Sequence, residues 1–91
     1  MKDQWGTYLL WCNDGTLYCG VTNDIGRRID QHNAGKGARY TRGRTPVELA
    51  LWMPAENKVA AFKEEYRVKK LGRLQKLQMI GERLMKKHGE T

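Results

Sequence analysis

Residues 18–32 read YCGVTNDIGRRIDQH, and this stretch joins a predicted strand to a predicted helix. The strand is expected over Leu17–Thr22, where aromatic and β-branched residues favour extended backbone. Asn23 and Asp24 follow, and their side-chain oxygens can accept hydrogen bonds from the free amides of a helical first turn. The pattern therefore predicts a helix that begins at Asp24 and ends at Ala34, just before a glycine.

The predicted helix carries two polar side chains of functional interest on one stripe. Arg28 and His32 are four residues apart, which puts them about 6 Å from each other along the axis and lets both contact one ligand. Arg27 lies about 100° away round the helix, so only one of the two arginines can share the stripe with His32. Taken alone, an exposed arginine and a lone histidine are more often bystanders than catalytic groups, so this spacing needs support from elsewhere in the chain.

A hairpin is predicted before the helix. The runs Thr7–Cys12 and Leu17–Thr22 are rich in β-forming residues, and the turn sequence Asn-Asp-Gly-Thr at 13–16 separates them. Two registers are compatible with this turn. They differ in where Tyr8 and Tyr18 point, because neighbouring positions of a strand face opposite sides of the sheet.

The choice of register decides whether the two tyrosines share a face. A two-residue turn at Asp14-Gly15 would put Tyr8 and Tyr18 on opposite faces and leave no shared site. A three-residue loop with Gly15 in the left-handed conformation would pair Tyr8 with Gly20 and put both tyrosines on one side. Their separation would then be about 7–8 Å, which suits two groups acting on one phosphate. We predict the three-residue loop.

The same register predicts that the two cysteines, Cys12 and Cys19, lie on opposite faces of the sheet. Side chains that point to opposite faces do not reach the geometry of a disulfide, so no disulfide is expected. Neither cysteine belongs to a paired C-x-x-C spacing, so the sequence carries no zinc signature. We interpret both as small buried apolar residues.

The hairpin and the helix together resemble the GIY-YIG nuclease superfamily. The two triplets correspond to 7–9 (TYL) and 18–20 (YCG), in which both tyrosines and the second glycine are kept while the apolar positions vary. Arg28 follows the second tyrosine at the spacing seen in the superfamily. Two later runs match its small single-domain bacterial branch: GKGARYTRG at 35–43, and Ala61 with EYRVK at 65–69. The resemblance covers nearly the whole chain.

The resemblance implies a metal-dependent endonuclease that hydrolyses DNA phosphodiester bonds, with a role in DNA repair or processing. It implies that Tyr8 and Tyr18 orient or deprotonate the attacking water. It also implies that Arg28 binds the phosphate and that His32 assists proton transfer. Which tyrosine acts as the base stays open, because a phenol with a pKa of about 10 is a poor base at neutral pH unless a neighbour lowers it. The match around EYRVK places the acid that ligates Mg²⁺ or Mn²⁺ at Glu65 rather than at the preceding glutamate. Arg28, His32 and Glu65 are then expected to converge on the face that the two tyrosines share.

Three further elements complete the predicted fold. Val47–Met53 is expected to be a third strand between two prolines, and helices are expected over Lys58–Leu71 and Arg73–Lys87. Four residues of the first of these helices are candidates for its buried face: Ala61, Phe62, Tyr66 and Val68. We therefore expect one α+β domain over 1–91, with a three-stranded antiparallel sheet in the order 2-1-3 flanked by helices, as in GIY-YIG nucleases.

The composition restricts the partners of the protein. Its 91 residues include 17 Lys and Arg against 10 Asp and Glu, and the net charge of +7 attracts polyanions. Nucleic acid and an anionic membrane both fit this charge. No apolar run approaches the roughly 20 residues of a membrane span, and the N-terminus lacks the apolar core of a secretion signal. The resemblance implies DNA as the partner, and the absence of both signals predicts no membrane association and a cytoplasmic location.

Residues 36–44, here called the basic segment, contain cations and no acid. Arginine offers fork-shaped donors to phosphates and tyrosine offers a stacking face to bases. A loop that is merely soluble has a similar composition. The candidate nucleic-acid-binding residues of the segment are Lys36, Arg39, Tyr40, Arg42 and Arg44.

Two other classes of protein fit the same sequence. A nuclease-derived module would keep the fold and the basic segment and bind nucleic acid with weak or no catalysis. A small basic protein of the ribosome or nucleoid would owe its charge to bulk RNA or DNA. Turnover of a DNA substrate separates the enzyme from both.

Overall fold

The computed structural model describes residues 4–89, with side chains up to Arg83. The elements in chain order are β1 (Gly6–Trp11), β2 (Leu17–Thr22), α1 (Ile25–Asn33), a 3₁₀ turn (Arg39–Thr41), β3 (Glu48–Pro54), α2 (Lys58–Lys69) and α3 (Arg73–Gly89). The sheet is antiparallel with the order β2-β1-β3, which confirms the expected α+β fold and strand order. Observed and predicted boundaries differ only by one or two residues at element ends, where assignment is least sharp. None of the described helices has the length and apolar character of a membrane span.

The hairpin between β1 and β2 has the predicted three-residue loop. Tyr8 pairs with Gly20 in the ladder, and the amide of Cys12 donates to the carbonyl of Thr16 across the loop (2.9 Å). Gly15 has a φ of 84°, in the left-handed region that glycine adopts without steric cost. The predicted register is therefore confirmed.

The sheet separates two buried clusters of different character. The first, called the aliphatic face, consists of Leu9, Cys19, Leu51, Val68 and Ile80 and is covered by α2 and α3. The second, called the tyrosine face, consists of Tyr8, Leu10, Cys12 and Val47, with Tyr18, Ile25, Ile29 and Trp52 packed against it. The helix α1 covers the tyrosine face. The two cysteines thus lie on opposite faces, and both are free thiols.

Local side chains hold α1 in place over the tyrosine face. The carboxylate of Asp24 accepts a hydrogen bond from the amide of Arg27 (3.2 Å) and caps the N-terminus. At the other end, the side chain of Asn33 accepts from the amide of Val47 (2.6 Å) and donates to its carbonyl (3.2 Å). These bonds tie the helix to the residue that precedes β3, so its functional stripe has a defined place above the sheet.

The helix α2 buries only two of the four residues that were candidates. Ala61 and Val68 are fully buried, and the Thr7 hydroxyl donates to the carbonyl of Ala61 (2.6 Å). The expectation that Phe62 or Tyr66 is buried is wrong, since 46% and 65% of their surfaces are exposed. Both sides of α2 carry apolar residues, so periodicity alone did not decide which side meets the sheet.

Candidate active site

Tyr8 lies at the centre of the tyrosine face. Its side chain is 1% exposed, and its ring lies beside Gly20 of the neighbouring strand. A Cβ added at Gly20 would lie 2.6 Å from Cζ of Tyr8, closer than real Cβ atoms approach. The missing side chain at Gly20 therefore makes the space for the Tyr8 ring.

A continuous chain of hydrogen bonds passes through the Tyr8 hydroxyl. This hydroxyl accepts from Nε of Arg28 (3.3 Å) and lies 2.9 Å from Nε2 of His32. On the other side of the imidazole, Nδ1 lies 2.7 Å from Oγ1 of Thr41, which itself donates to the carbonyl of Ala38 (2.9 Å). Because the Thr41 hydroxyl has a single proton, it must accept from Nδ1–H, and Nε2 is left to accept from Tyr8. Each group therefore donates to the next, and His32 is assigned the Nδ1–H tautomer.

Burial keeps both titratable groups in the middle of this chain neutral. It raises the pKa of Tyr8 to about 12, against the opposing effect of the hydrogen bond from Arg28. It lowers the pKa of His32 to about 4, and the positive charge of Arg28 acts in the same direction. At neutral pH the phenol keeps its proton and the imidazole stays uncharged. In this state Tyr8 is a poor base and His32 is a poor acid.

Tyr18 differs from Tyr8 in the state of its hydroxyl. Its ring packs edge-on against His32, with centroids 5.4 Å apart, and lies 6.3 Å from the Tyr8 ring. The side chain is half-buried, and within residues 4–83 no hydrogen bond engages its hydroxyl. Burial raises the pKa of Tyr18, while the positive charges of Lys69 and Arg28 oppose the rise. Tyr18 thus presents the phenol oxygen that a substrate can reach.

Arg28 keeps donors for a ligand. Its Nε donates to Tyr8, and its Nη1 donates to Oε1 of Gln31 (3.0 Å). A guanidinium has more N–H groups than these two bonds use. Arg27, the neighbouring candidate by sequence, is exposed, and Arg28 is the arginine that contacts Tyr8. The half-buried guanidinium of Arg28 is therefore held from two sides with free donors left.

Glu65 reaches the region of the site from a different element. It lies on α2, which packs on the aliphatic face, and its Oε2 lies 3.3 Å from Nζ of Lys69. No hydrogen bond within residues 4–83 joins it to the tyrosine face. Its negative charge nevertheless contributes to the raised pKa values of Tyr18 and Cys19, after burial as the main cause. Tyr18 lies on β2, an edge strand of the sheet.

The basic segment reaches the site through Tyr40. Its ring stacks on the ring of Tyr18, with centroids 5.8 Å apart and 23° between the planes. The guanidinium of Arg44 lies 4.1 Å from the Tyr40 centroid, donates to the Tyr40 carbonyl (2.7 Å) and pairs with Asp14 (2.9 Å). Arg44 thus anchors the segment to the hairpin loop. The exposed cations of the segment are Lys36, Arg39 and Arg42.

A comparison with models of protein families shows which family this chain belongs to. The family model of the GIY-YIG catalytic domain matches residues 4–78, which run from the start of the described chain into α3. The chain belongs to the GIY-YIG family. The predicted resemblance is therefore confirmed, and the GIY-YIG family is a nuclease family.

Several relatives are similar to this GIY-YIG chain over most of their length. A UPF0213 protein of Halobacterium salinarum is 52% identical over 69 residues, 76% of this chain and 90% of the relative. A UPF0213 protein of Oceanobacillus iheyensis is 46% identical over 80 residues, 88% and 93% of the two chains. The solution NMR structure of a UPF0213 protein from Bacillus halodurans is 44% identical, with a TM-score of 0.54 over 85% of this chain and 83% of that one. A solution NMR structure from E. faecalis is 37% identical, with a TM-score of 0.61 over 93% and 90%.

The carboxylate of Glu65 is the oxygen ligand that would hold the divalent cation expected for a GIY-YIG site. Residues 4–83 contain no cluster of three or more acidic, histidine or cysteine side chains. Mg²⁺ does not need such a cluster, because it keeps several waters and takes one or two carboxylates together with substrate phosphate oxygens. The carboxylate of Glu65 is 18% exposed, and its Oε2 lies 3.3 Å from Nζ of Lys69. A single Mg²⁺ or Mn²⁺ anchored by Glu65 therefore suits these residues.

Sequence reasoning missed three residues that support the GIY-YIG site. Thr41 orients His32, and Gln31 holds Arg28. Gly37 leaves room for the imidazole, since a Cβ added there would lie 2.7 Å from Cγ of His32. Thr41 and Gly37 both lie in the matched run at 35–43, so that run was the available signal. The run showed that they belong to the pattern but not which side chain they contact.

Proposed function

We propose that this chain is a metal-dependent GIY-YIG endonuclease that hydrolyses phosphodiester bonds of DNA. The observation that carries the proposal is the directed hydrogen-bond chain from Arg28 through Tyr8 and His32 to Thr41. Packing alone does not require a buried phenol and a buried imidazole, because apolar side chains fill such a space without needing matched polar partners. These hydrogen bonds instead hold the guanidinium of Arg28 in a fixed position, close to the phenol of Tyr18, whose hydroxyl has no partner within residues 4–83.

Arg28 supplies the positive charge that phosphodiester hydrolysis needs. When water adds to phosphorus, negative charge grows on the surrounding oxygens, and preorganised donors stabilise it. The bonds from Arg28 to Tyr8 and Gln31 hold the guanidinium before any ligand arrives. Its remaining N–H groups can then bind a phosphate with little loss of side-chain freedom.

Tyr18, rather than Tyr8, is the tyrosine that contacts the attacking water in this proposal. The Tyr8 oxygen already accepts one hydrogen bond and donates another, whereas the Tyr18 hydroxyl has neither within residues 4–83. The water oxygen bonds to phosphorus and gives up a proton, the bond from phosphorus to the leaving oxygen breaks, and that oxygen takes up a proton. Because burial raises the pKa of Tyr18, its hydroxyl orients the water as a hydrogen-bond partner and does not begin as a phenolate.

Glu65 and the basic segment complete the proposed machinery. Mg²⁺ or Mn²⁺ bound at Glu65 would neutralise charge on the leaving oxygen. Lys36, Arg39 and Arg42 are exposed in the segment whose Tyr40 stacks on Tyr18, so phosphates beside the scissile bond would meet cations. A role in DNA repair or processing stays a prediction from the family.

Incubation of the purified protein with plasmid, single-stranded and branched DNA plus Mg²⁺ or Mn²⁺ tests this function. We expect cleavage by the wild type and a rate lower by about 10² or more for Arg28→Ala or Glu65→Gln, since a group that stabilises transition-state charge typically contributes that much. Arg27→Ala and Glu64→Gln are the matched controls, because each changes a neighbour of the same type. Both should cleave near the wild-type rate. Circular dichroism shows whether each variant is folded.

Two outcomes would contradict the proposal. A folded Arg28→Ala protein that cleaves as fast as the wild type would refute the site and point to a contaminating nuclease. Binding of DNA without cleavage of any of the three substrates would favour the nuclease-derived binding module.

A further inference from the structure

The outward surface of α2 carries three large apolar side chains that the fold leaves in solvent. Val59, Phe62 and Tyr66 are 64%, 46% and 65% exposed. Their spacing of three and four residues puts them on one stripe of the helix. The other side of α2 already meets the sheet through Ala61 and Val68, so the stripe is not part of the core of the described residues.

Lysines border this stripe. Lys58 and Lys63 line an open groove of about 470 Å³ together with the three apolar side chains. Lys70 lies over the ring of Tyr66, with Nζ 4.1 Å from the centroid. The α2 outer face is defined here as Lys58, Val59, Phe62, Lys63, Tyr66 and Lys70.

The glutamates of α2 do not neutralise these lysines. Glu64 pairs with Arg67 (2.7 Å), and Glu65 pairs with Lys69 (3.3 Å). At about 100° per residue, Glu64 lies well away from the outer face, and Glu65 lies at its edge, about 20° round the helix from Lys58. The outer face is therefore an aromatic surface with an excess of positive charge.

We propose that the α2 outer face binds single-stranded DNA. Exposed aromatic rings between cations are the arrangement on which unpaired bases stack while the backbone phosphates meet the cations. Phe62 and Tyr66 supply the stacking faces, and Lys58, Lys63 and Lys70 supply the charge. Duplex DNA hides its base faces and would use only the lysines.

The charge of the face argues against a second copy of this chain as the occupant. A two-fold pairing brings the same patch together from both subunits, so the lysines of one copy would meet those of the other. Such a contact would be unfavourable without an anion between the copies. Single-stranded DNA is negatively charged and avoids this repulsion, and its bases would also cover the exposed rings.

The outer face neighbours Glu65, the residue that would hold the metal in the proposed function. Phe62 lies three residues before Glu65 and Tyr66 directly follows it, while the charge of Glu65 acts on Tyr18. A strand bound to the outer face would therefore lie beside the carboxylate of Glu65. This placement rests on the proposed function and narrows its substrate to DNA with a single-stranded segment next to the cleaved bond. Binding itself does not depend on turnover.

Fluorescence anisotropy of a labelled oligothymidylate, with EDTA present so that no cleavage occurs, tests the binding. The double variant Phe62→Ala with Tyr66→Ala should bind roughly tenfold more weakly or worse, because each stacked base contributes strongly to affinity. Phe62→Leu with Tyr66→Leu keeps apolar surface but removes the stacking faces, and should lose a similar factor. Leu74→Ala is the matched control, since Leu74 is an exposed apolar residue (77%) on α3.

A second set of variants tests the charge. Lys58→Gln, Lys63→Gln and Lys70→Gln together should lower the slope of log affinity on log salt by about 0.7 for each phosphate that no longer meets a lysine. An Arg39→Ala and Arg42→Ala variant probes the basic segment in the same assay. If that variant binds weakly while all α2 variants bind like the wild type, the inference is overturned and the proposed function stands.

Other results would also overturn the inference. Equal affinity for duplex DNA would remove the single-strand preference, and tighter binding of oligouridylate would assign the face to RNA. A dimer in sedimentation that only the Phe62 and Tyr66 variants dissociate, with DNA binding unchanged, would assign the face to a second copy. If the wild type cleaves single-stranded DNA and the α2 variants cleave it equally well at low DNA concentration, the face has no part in substrate binding.

Discussion

The aliphatic face and the tyrosine face of the sheet both contain fully buried side chains, but they bury different chemistry. On the aliphatic face, Leu9 and Val68 are 0% exposed and contact other apolar residues. On the tyrosine face, Tyr8, His32 and Thr41 are at most 1% exposed and contact one another through polar atoms. One face stabilises the fold by nonspecific apolar burial. The other depends on each polar atom having its partner.

The difference shows how a small protein can bury titratable side chains and still fold. Within the described residues, every buried side-chain nitrogen and oxygen has a hydrogen-bond partner. A buried polar group is costly only when it lacks such a partner. The tyrosine face therefore keeps a titratable network in the interior, while the aliphatic face supplies stability that the network does not.

Truncation of the aliphatic face should have the largest effect on stability. Leu9→Ala removes a fully buried side chain and leaves a cavity, so the free energy of unfolding should fall by about 2–5 kcal/mol. Urea unfolding measures this change. Leu49→Ala on β3 is the matched control, because Leu49 is 42% exposed and should change stability by less than about 0.5 kcal/mol. Similar losses from both variants would contradict the assignment of the core to this face.

Acid should weaken the tyrosine face through His32. The pKa of His32 is about 4 in the folded protein against 6.5 for an unperturbed histidine. Between these two values the unfolded chain binds more protons, so stability is fully present above pH 6.5 and is lost as the pH falls towards 4. The loss should approach roughly 3 kcal/mol. Urea unfolding across this window measures it.

A His32→Gln variant is the control for this pH dependence. Glutamine does not titrate, so the variant should be less stable at neutral pH but should change less between neutral and acid conditions. An equal slope in both proteins would mean that other groups cause the acid sensitivity.

Removal of a single hydroxyl should change stability less than the variants above, and by different amounts at Tyr8 and Tyr18. Tyr8→Phe leaves Nε2 of His32 and Nε of Arg28 without their partner, so the free energy of unfolding should fall by about 1–3 kcal/mol. Tyr18→Phe removes a hydroxyl that has no partner within residues 4–83 and should leave stability nearly unchanged while it slows DNA cleavage. Thermal unfolding together with cleavage assays compares the two. Equal losses of stability would show that Tyr18 is also bound into the network.

Features that depend only on residues close together in the sequence were predicted correctly. The three-residue loop needs a residue that adopts a positive φ, and Gly15 provides it. The N-cap at Asp24 and the stripe with Arg28 and His32 follow from spacing within one helix. The matched motifs then identified the family, and most of the candidate residues came from that match and not from composition. The expectation that Glu65 converges with Arg28 and His32 on the face of the two tyrosines is wrong, because Glu65 lies on α2, which packs on the aliphatic face.

The sequence by itself thus determined the hairpin register and the caps of α1, because short-range sterics and hydrogen bonds decide them. Its motifs also identified the family. Only the tertiary structure decided that Thr41 orients His32 and that Tyr40 stacks on Tyr18. It also decided that α2 turns Phe62 to solvent. These contacts join segments that are separate in the chain, and several packings satisfy the same local pattern. The choice among them comes from which surfaces fit together, and no single segment carries that information.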